Sequence, residues 1–148
     1  MADFIIRAAS HEDFPAIRSL IHAVQINPTG LDWRRFFVAI SSRGNFLGCG
    51  QIKPHSDGSK ELASIAVQEN SRGRGIARMI ILTLVELEVE RPLYLMCRAR
   101  LESFYNKIGF LTITLDIMPP YFKRICRLER IFNSASQADN RLLVMRLE

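Results

Sequence analysis

The chain has 148 residues, 48% hydrophobic and 24% charged, with a formal net charge of +5 at pH 7. That is enough for one domain with a real core, and the balance is that of a globular protein rather than a disordered or membrane-embedded one. No apolar run reaches the length of a membrane span. Met1-Ala2-Asp3-Phe4 lacks the charged and apolar regions of a secretory signal, so a single domain over residues 1–148, in the cytoplasm, is expected. Cys49, Cys97 and Cys126 are widely spaced and odd in number; they predict reduced thiols, with no disulfide framework, no zinc pattern and no metal.

Phe4 to Ala8 reads as a first strand. Ser10 to Asp13 carries helix-start chemistry: side-chain oxygens for orphan amides and negative charge in the first turn. Pro15 fits only near such a start. Phe14, Ile17, Leu20, Ile21 and Val24 then share one helical face, and Asn27-Pro28-Thr29-Gly30 stops the helix. Residues 31 to 35 leave a short helical turn open. Phe36 to Ile40 predicts a strand from its aromatic and β-branched content. Phe46 to Lys53 is its hairpin partner across the Ser42–Asn45 turn, and Pro54 to Ser59 is a second turn. Glu61 to Val67 is the central strand, and a helix is expected from about Arg74 to Glu90, broken by Pro92. Leu93 to Cys97 is a strand, Arg100 to Lys107 a short helix closed by Gly109, and Phe110 to Ile117 and Arg141 to Leu147 are the last strands. The order β-α-β-β-β-α-β-α-β-β predicts an α/β (α+β mixed) fold: a central mixed, mostly antiparallel sheet flanked by helices.

Residues 119 to 133 add to that plan. Pro119-Pro120 introduces Tyr121, Phe122, Ile125, Cys126, Leu128, Ile131 and Phe132 at helical spacing, with Lys123, Arg124, Arg127 and Arg130 on the other face. An extra amphipathic helix before the last strand is expected, with Phe122, Ile125 and Ile131 facing inward. Its basic face reads either as a solvated surface or as a lid, a dimer contact or an element that recruits an acidic acceptor.

The segment Arg72-Gly73-Arg74-Gly75-Ile76-Ala77 carries the chemistry. It lies between the central strand and a helix start, where glycines allow a ligand close to the backbone and unpaired N–H groups point outward. The helix dipole adds partial positive charge there, and Arg72 and Arg74 add full charges. A pyrophosphate fits such a site. The nucleoside-triphosphate loop requires Lys-Ser/Thr after its last glycine, where this chain has Ile76-Ala77. The dinucleotide fingerprint requires a third glycine, where this chain has Arg78.

A third pattern matches. Arg72-x-x-Gly75-x-Ala77 resembles the Gln/Arg-x-x-Gly-x-Gly/Ala signature of the GNAT N-acetyltransferases. Downstream, Phe104-Tyr105-Asn106-Lys107-Ile108-Gly109-Phe110 resembles that family's Phe-Tyr-x-x-x-Gly-Phe segment. The opening Ile6-Arg7-Ala8-Ala9 and Asp13-Phe14-Pro15-Ala16-Ile17 are similar to its first strand and helix, so the resemblance covers nearly the whole chain.

The resemblance implies the GNAT fold and an acetyl-CoA-dependent N-acetyltransferase that acts by direct attack in a ternary complex. Gly73, Arg74, Gly75, Ile76 and Ala77, with Arg72, would hold the pyrophosphate of acetyl-CoA. Ile65, Ala66 and Val67 would border its pantetheine arm, with the Val67 amide facing the thioester. Tyr105 would protonate the departing thiolate. Glu61 would take the proton of the amine, with ordered water as an alternative; His55 and His22 rank below it. Where many relatives carry Asn, this chain has Arg98-Ala99-Arg100, and Arg98 or Arg100 is read as a phosphate contact, Arg98 first. The expected partners are acetyl-CoA and an amine acceptor (a small metabolite, an amino acid or a peptide), with no nucleic acid and no membrane, in a monomer or homodimer. The alternatives are a non-catalytic module that senses acyl-CoA and a small basic nucleic-acid-binding protein.

Overall fold

The computed structural model describes residues 3–132 and 138–148. Its contacts divide the chain into two units, Met1–Lys53 with Leu62–Val89, and Pro54–Glu61 with Glu90–Glu148.

The first unit holds β1 (Phe4–Ala8), α1 (Phe14–Ala23), β2 (Phe36–Ser41), nearly all of β3 (Phe46–Pro54), most of β4 (Lys60–Val67) and α2 (Ile76–Leu87), with strand order β1-β2-β3-β4. β2 runs antiparallel to both β1 and β3, placing Ile6 opposite Ala39 and Val38 opposite Cys49. The helix-start chemistry of Ser10 and Asp13 closes a 3-10 turn, His11–Asp13, that leads into α1. The Ser10 amide donates to the Asp13 carboxylate at 2.7 Å, and the Arg7 guanidinium donates to both Asp13 oxygens at 2.7 and 3.1 Å. The Arg7 hydrogen bond, above all, holds the Asp13 carboxyl below the usual carboxylate range. Ile17, Leu20 and Ile21 of α1 pack with Phe36, Val38, Cys49 and Ala66. Each such large side chain contributes roughly 1.5–3 kcal/mol by burial. α2 buries Ile76, Ile80, Ile81 and Leu84, and Gly50 lets it come close. A Cβ at Gly50 would stand 2.5 Å from Ile65 Cδ1 and 2.9 Å from Ile80 Cγ2. The open stretch at 31–35 contains a 3-10 turn, Trp33–Arg35, capped by Asp32, which accepts from the Arg34 amide at 3.1 Å.

The second unit holds β5 (Leu93–Arg98), α3 (Glu102–Asn106), β6 (Leu111–Thr112), α4 (Pro120–Phe132) and β7 (Leu142–Leu147), with strand order β5-β7-β6. β7 is antiparallel to both neighbours, with Leu95 opposite Met145 and Leu111 opposite Arg146. Tyr94, Ile113, Phe122, Cys126 and Val144 form its buried cluster.

Three expectations are corrected. The strand read over Phe110–Ile117 shrinks to Leu111–Thr112 and is followed by a 3-10 turn, Leu115–Ile117. The Thr114 hydroxyl donates to Asp116 at the head of that turn, a local side-chain bond that competes with strand pairing. α2 ends at Leu87 rather than Glu90, because Glu88 leaves the helical region at φ −85°, ψ 108°. In α4, Phe122 and Cys126 face inward as expected, but Ile131 is 70% exposed. Ile131 lies about two and a half turns beyond Phe122, so it falls on the opposite side of the helix. Residue 133, the end of the expected span, lies outside the described residues.

Candidate functional site

In the first unit the central strand is bent before it reaches the loop. Ser64 of β4 has φ +59°, a left-handed conformation inside a strand and unusual for a residue with a side chain. Ile65 follows, half-buried, then Ala66 and Val67, both buried. β3 passes so near that a Cβ at Gly48 would stand 2.7 Å from the Ala66 carbonyl oxygen. A 3-10 turn, Glu69–Ser71, leads into the loop.

Gly73 and Gly75 sit at φ +80° and +78°, and a Cβ at either would meet nothing within 4 Å. Both are therefore glycine for backbone reasons, and the space beside them is open. Gly75 is the N-cap of α2 and no side chain caps the helix. The amides of Ile76, Ala77 and Arg78 belong to the first turn, which has no intrahelical acceptors, and they lie at the positive end of the dipole. Met79 N makes the first helical bond, to Gly75 O at 3.1 Å. Ile76 anchors this end, with its side chain 2% exposed. Arg72 Nε donates to the Val67 carbonyl at 3.3 Å, tying the loop to the strand, and its Nη atoms have no partner among the described residues. Arg74 is ion-paired with Asp3. A helix start of this kind favours negative charge beside it.

Two buried polar residues of β3 escaped sequence reading. Gln51 is wholly buried; its Nε2 donates to Ser64 Oγ at 2.8 Å and the Gly30 carbonyl at 3.3 Å. Lys53 Nζ donates to the Thr29 carbonyl at 3.0 Å. Both fasten the Asn27–Gly30 stretch, which the sequence marked only as a helix stop. A polar residue alternating with apolar ones in a strand reads as solvent-facing, so no signal distinguished them.

In the second unit Glu61 is 5% exposed and faces His55, with Nε2 of the ring 2.8 Å from Oε1 of the carboxylate. Tyr121 stacks on the imidazole, ring centres 3.6 Å apart and 17° from parallel, and Phe122 meets it edge-on at 5.7 Å. Asp57, in the same turn as His55, accepts from the Ser59 hydroxyl at 2.6 Å and the Tyr121 amide at 3.0 Å. Burial works against the Asp57 carboxylate, yet these hydrogen bonds prevail and hold it below the usual range. Burial, followed by the nearby Glu61 charge, raises the Tyr121 phenol. The sequence places His55 in a turn and ranks it below Glu61 as a base; the six-residue step to Glu61 carries no periodicity that would pair them.

Tyr105 lies on α3 between Phe104 and Phe110, at ring distances of 5.0 and 6.1 Å, and is 8% exposed. Its carbonyl accepts from Ile108 and Phe110, and Gly109 closes the bend at φ +118°. Burial, with Cys97 adding to it, pushes the phenol well above its ordinary value, and the hydroxyl has no hydrogen-bond partner among the described residues. Arg98 donates to Glu129 at 2.6 Å and the Asn140 carbonyl at 3.1 Å, so serving a phosphate would mean exchanging that ion pair. The cysteines are free and buried; burial pushes Cys49 up to about 12, and burial with Glu102 pushes Cys97 up to about 11. Neither is a thiolate at neutral pH, so neither is poised as a nucleophile. Among the described residues no group of three or more His, Cys, Asp or Glu could hold a metal ion, and no helix is long and apolar enough to cross a membrane.

The arrangement of strands and helices is shared with solved structures of low sequence identity. The chain superposes with a TM-score of 0.75 and 19% identity on N-acetylglutamate synthase from Neisseria gonorrhoeae complexed with coenzyme A and N-acetyl-glutamate, covering all of this chain and 36% of that one. It therefore spans about a third of that enzyme's length. Rv2747 from Mycobacterium tuberculosis, in complex with CoA and NLQ, gives 0.72 and 21% identity over 97% of this chain and 98% of that one. An acetyltransferase of the GNAT family from Staphylococcus aureus Mu50 gives 0.68 and 16% identity over 98% and 99%. No curated protein matches the sequence. Residues 32–111, 80 of the 148, match the acetyltransferase (GNAT) domain, and the chain belongs to that family of N-acetyltransferases.

Proposed function

We propose that this protein transfers an acetyl group from acetyl-CoA to a primary amine by direct attack in a ternary complex. The observation that carries the reading is the open loop at the start of α2, where two left-handed glycines precede an uncapped helix end. Arg72 and the amides from Gly73 to Ala77 would hold the pyrophosphate, with Ile65, Ala66 and Val67 along the arm. Acetyl-CoA supplies an activated acyl carbon. The protein's own contribution is then to polarise the carbonyl, receive a proton and donate one. The Val67 amide would serve the first task and Glu61 the proton-accepting side.

Tyr105 would serve the last task. An ordinary phenol and an alkyl thiol have comparable acidity, but burial makes this phenol the weaker acid. Tyr105 therefore keeps its proton throughout the physiological range and acts first as a hydrogen-bond donor to developing negative charge on sulfur. A cysteine relay is disfavoured, because burial raises all three thiols and favours their protonated form.

The acceptor is proposed to be a small amine, with amino acids first in line. The support is the Neisseria complex with N-acetyl-glutamate and the cationic side chains of α4, of which Arg124, Arg127 and Arg130 are exposed. The test is thioester cleavage across an amino-acid and amine panel, with coenzyme affinity measured in parallel by calorimetry. Acetyl-CoA-dependent acetylation of a panel member supports the reading; coenzyme binding without turnover on any amine would replace it with an acyl-CoA sensor.

A further inference from the structure

The two ring nitrogens of His55 stand in different surroundings. Nε2 is 2.8 Å from Glu61 Oε1, between side chains only 9% and 7% exposed. With Glu61 ionised the carboxylate can only accept, so Nε2 then carries the hydrogen and, in the neutral ring, the lone pair lies on Nδ1. Nδ1 has no partner among the described residues and is not sealed from solvent: the sealed, unpartnered side-chain atom among them is Gln51 Oε1. The ring cannot turn freely, because Tyr121 covers one face at 3.6 Å and Asp57 holds the Tyr121 amide. The groups facing the imidazole are Glu61 from β4, Asp57 from its own turn, and Tyr121 from α4, with Arg124 lying 5.8 Å from the Tyr121 ring centre. An imidazole oriented by a carboxylate through one nitrogen, with the other nitrogen open, is the arrangement of a general base.

We propose that His55 Nδ1 takes the proton from the acceptor amine and that Glu61 is its orienting partner rather than the base itself. The proposal rests on the acetyl-transfer reading and refines the role given there to Glu61. As the amine nitrogen bonds to the acyl carbon, its N–H bond breaks and the proton moves to Nδ1. The imidazolium so formed is compensated by Glu61. The electron pair of the breaking C–S bond stays with sulfur, which is protonated by Tyr105 or solvent, and Nδ1 later returns its proton to water.

The test compares His55→Gln, His55→Ala and Glu61→Gln in the full chain, using acetyl-CoA and the best acceptor of the panel, with coenzyme affinity measured for each. His55→Gln lowers kcat roughly a hundredfold, as loss of a general base does, and leaves the coenzyme Kd unchanged. Free imidazole restores part of the His55→Ala rate, a rescue that a packing role would not produce. Glu61→Gln lowers kcat less than His55→Gln does and leaves KM and the coenzyme Kd unchanged, because the imidazole is still present and has lost only its orienting partner. If Glu61→Gln is inactive at every pH while His55→Gln keeps the wild-type kcat, Glu61 is the base and the proposal is overturned. Nitrogen NMR of His55 decides independently of any acceptor: a proton on Nε2 in the neutral ring is expected, and a proton on Nδ1 instead overturns the proposal. Loss of coenzyme binding in the wild type would sink the acetyl-transfer reading instead, a result the His55 measurements do not mimic.

Discussion

The loop Arg72–Ala77 and the cluster of His55, Glu61 and Tyr121 are built in opposite ways. The loop is a local object. Its shape follows from two glycines at positive φ and a helix that begins at Ile76, and its charge comes from amides that every helix start leaves unpaired. The cluster is assembled from a turn, a strand and a helix whose members lie up to 66 positions apart in the chain, and each contact is made by side chains. A backbone site tolerates many side chains so long as the dihedrals survive. A side-chain site fails when any one ring or carboxylate is displaced.

That difference can be broken first at Gly75. Gly75→Asp forces a side chain into a left-handed conformation, at a cost of about 1–2 kcal/mol, and adds negative charge at the helix end proposed to hold the pyrophosphate. Acetyl-CoA binding measured by calorimetry should disappear, and the rise in melting temperature that the coenzyme gives the wild type should go with it. A variant that binds normally would show that the loop does not hold the pyrophosphate.

Tyr105→Phe tests the second unit without touching the loop. The hydroxyl has no partner among the described residues, so its removal leaves packing intact. Turnover should fall roughly tenfold to a thousandfold, as for loss of a proton donor, with coenzyme affinity nearly unchanged in the same calorimetric assay. Unchanged turnover would reduce Tyr105 to a packing residue.

Gly48→Ala sharpens the comparison from the side of the strand. The new methyl would meet the Ala66 carbonyl oxygen at 2.7 Å, and a backbone atom cannot swing aside as a side-chain end can. A loss of about 1–3 kcal/mol is expected from such overpacking, read as a lower urea midpoint. A stability equal to the wild type would mean that β4 moves more easily than its burial implies.

The smallest effect is expected at the head of α1. Asp13 has its carboxyl lowered by Arg7, so the stabilisation is present above the unfolded carboxyl value of about 3.9 and is lost as pH falls through the lower folded value. Asp13→Asn should cost about 0.5–1 kcal/mol at pH 6, since Arg7 is partly exposed and the ion pair is screened. Urea unfolding of both proteins should show the gap narrowing below about pH 4. A gap that widened on acidification would contradict the assigned sign.

Much of the fold was legible before any coordinates, and for local reasons. Strand and helix periodicity, the Ser10–Asp13 start, the paired glycines and the Gly109 stop all act within a few residues, where steric and hydrogen-bonding rules hold without reference to the rest of the chain. The glycine loop and the helix start after it were therefore readable from Arg72 to Ala77, and the family from its spacing to Tyr105-x-x-x-Gly109. Tertiary structure decided what those rules do not reach. It cut the Phe110–Ile117 strand to Leu111–Thr112, because a side-chain bond at Asp116 outcompeted a β-branched run. It turned Ile131 outward by helical phase and buried Gln51 and Lys53 beneath Thr29 and Gly30. It also paired His55 with Glu61 under Tyr121, since partners on separate elements are chosen by packing and desolvation and leave no periodic trace in the sequence.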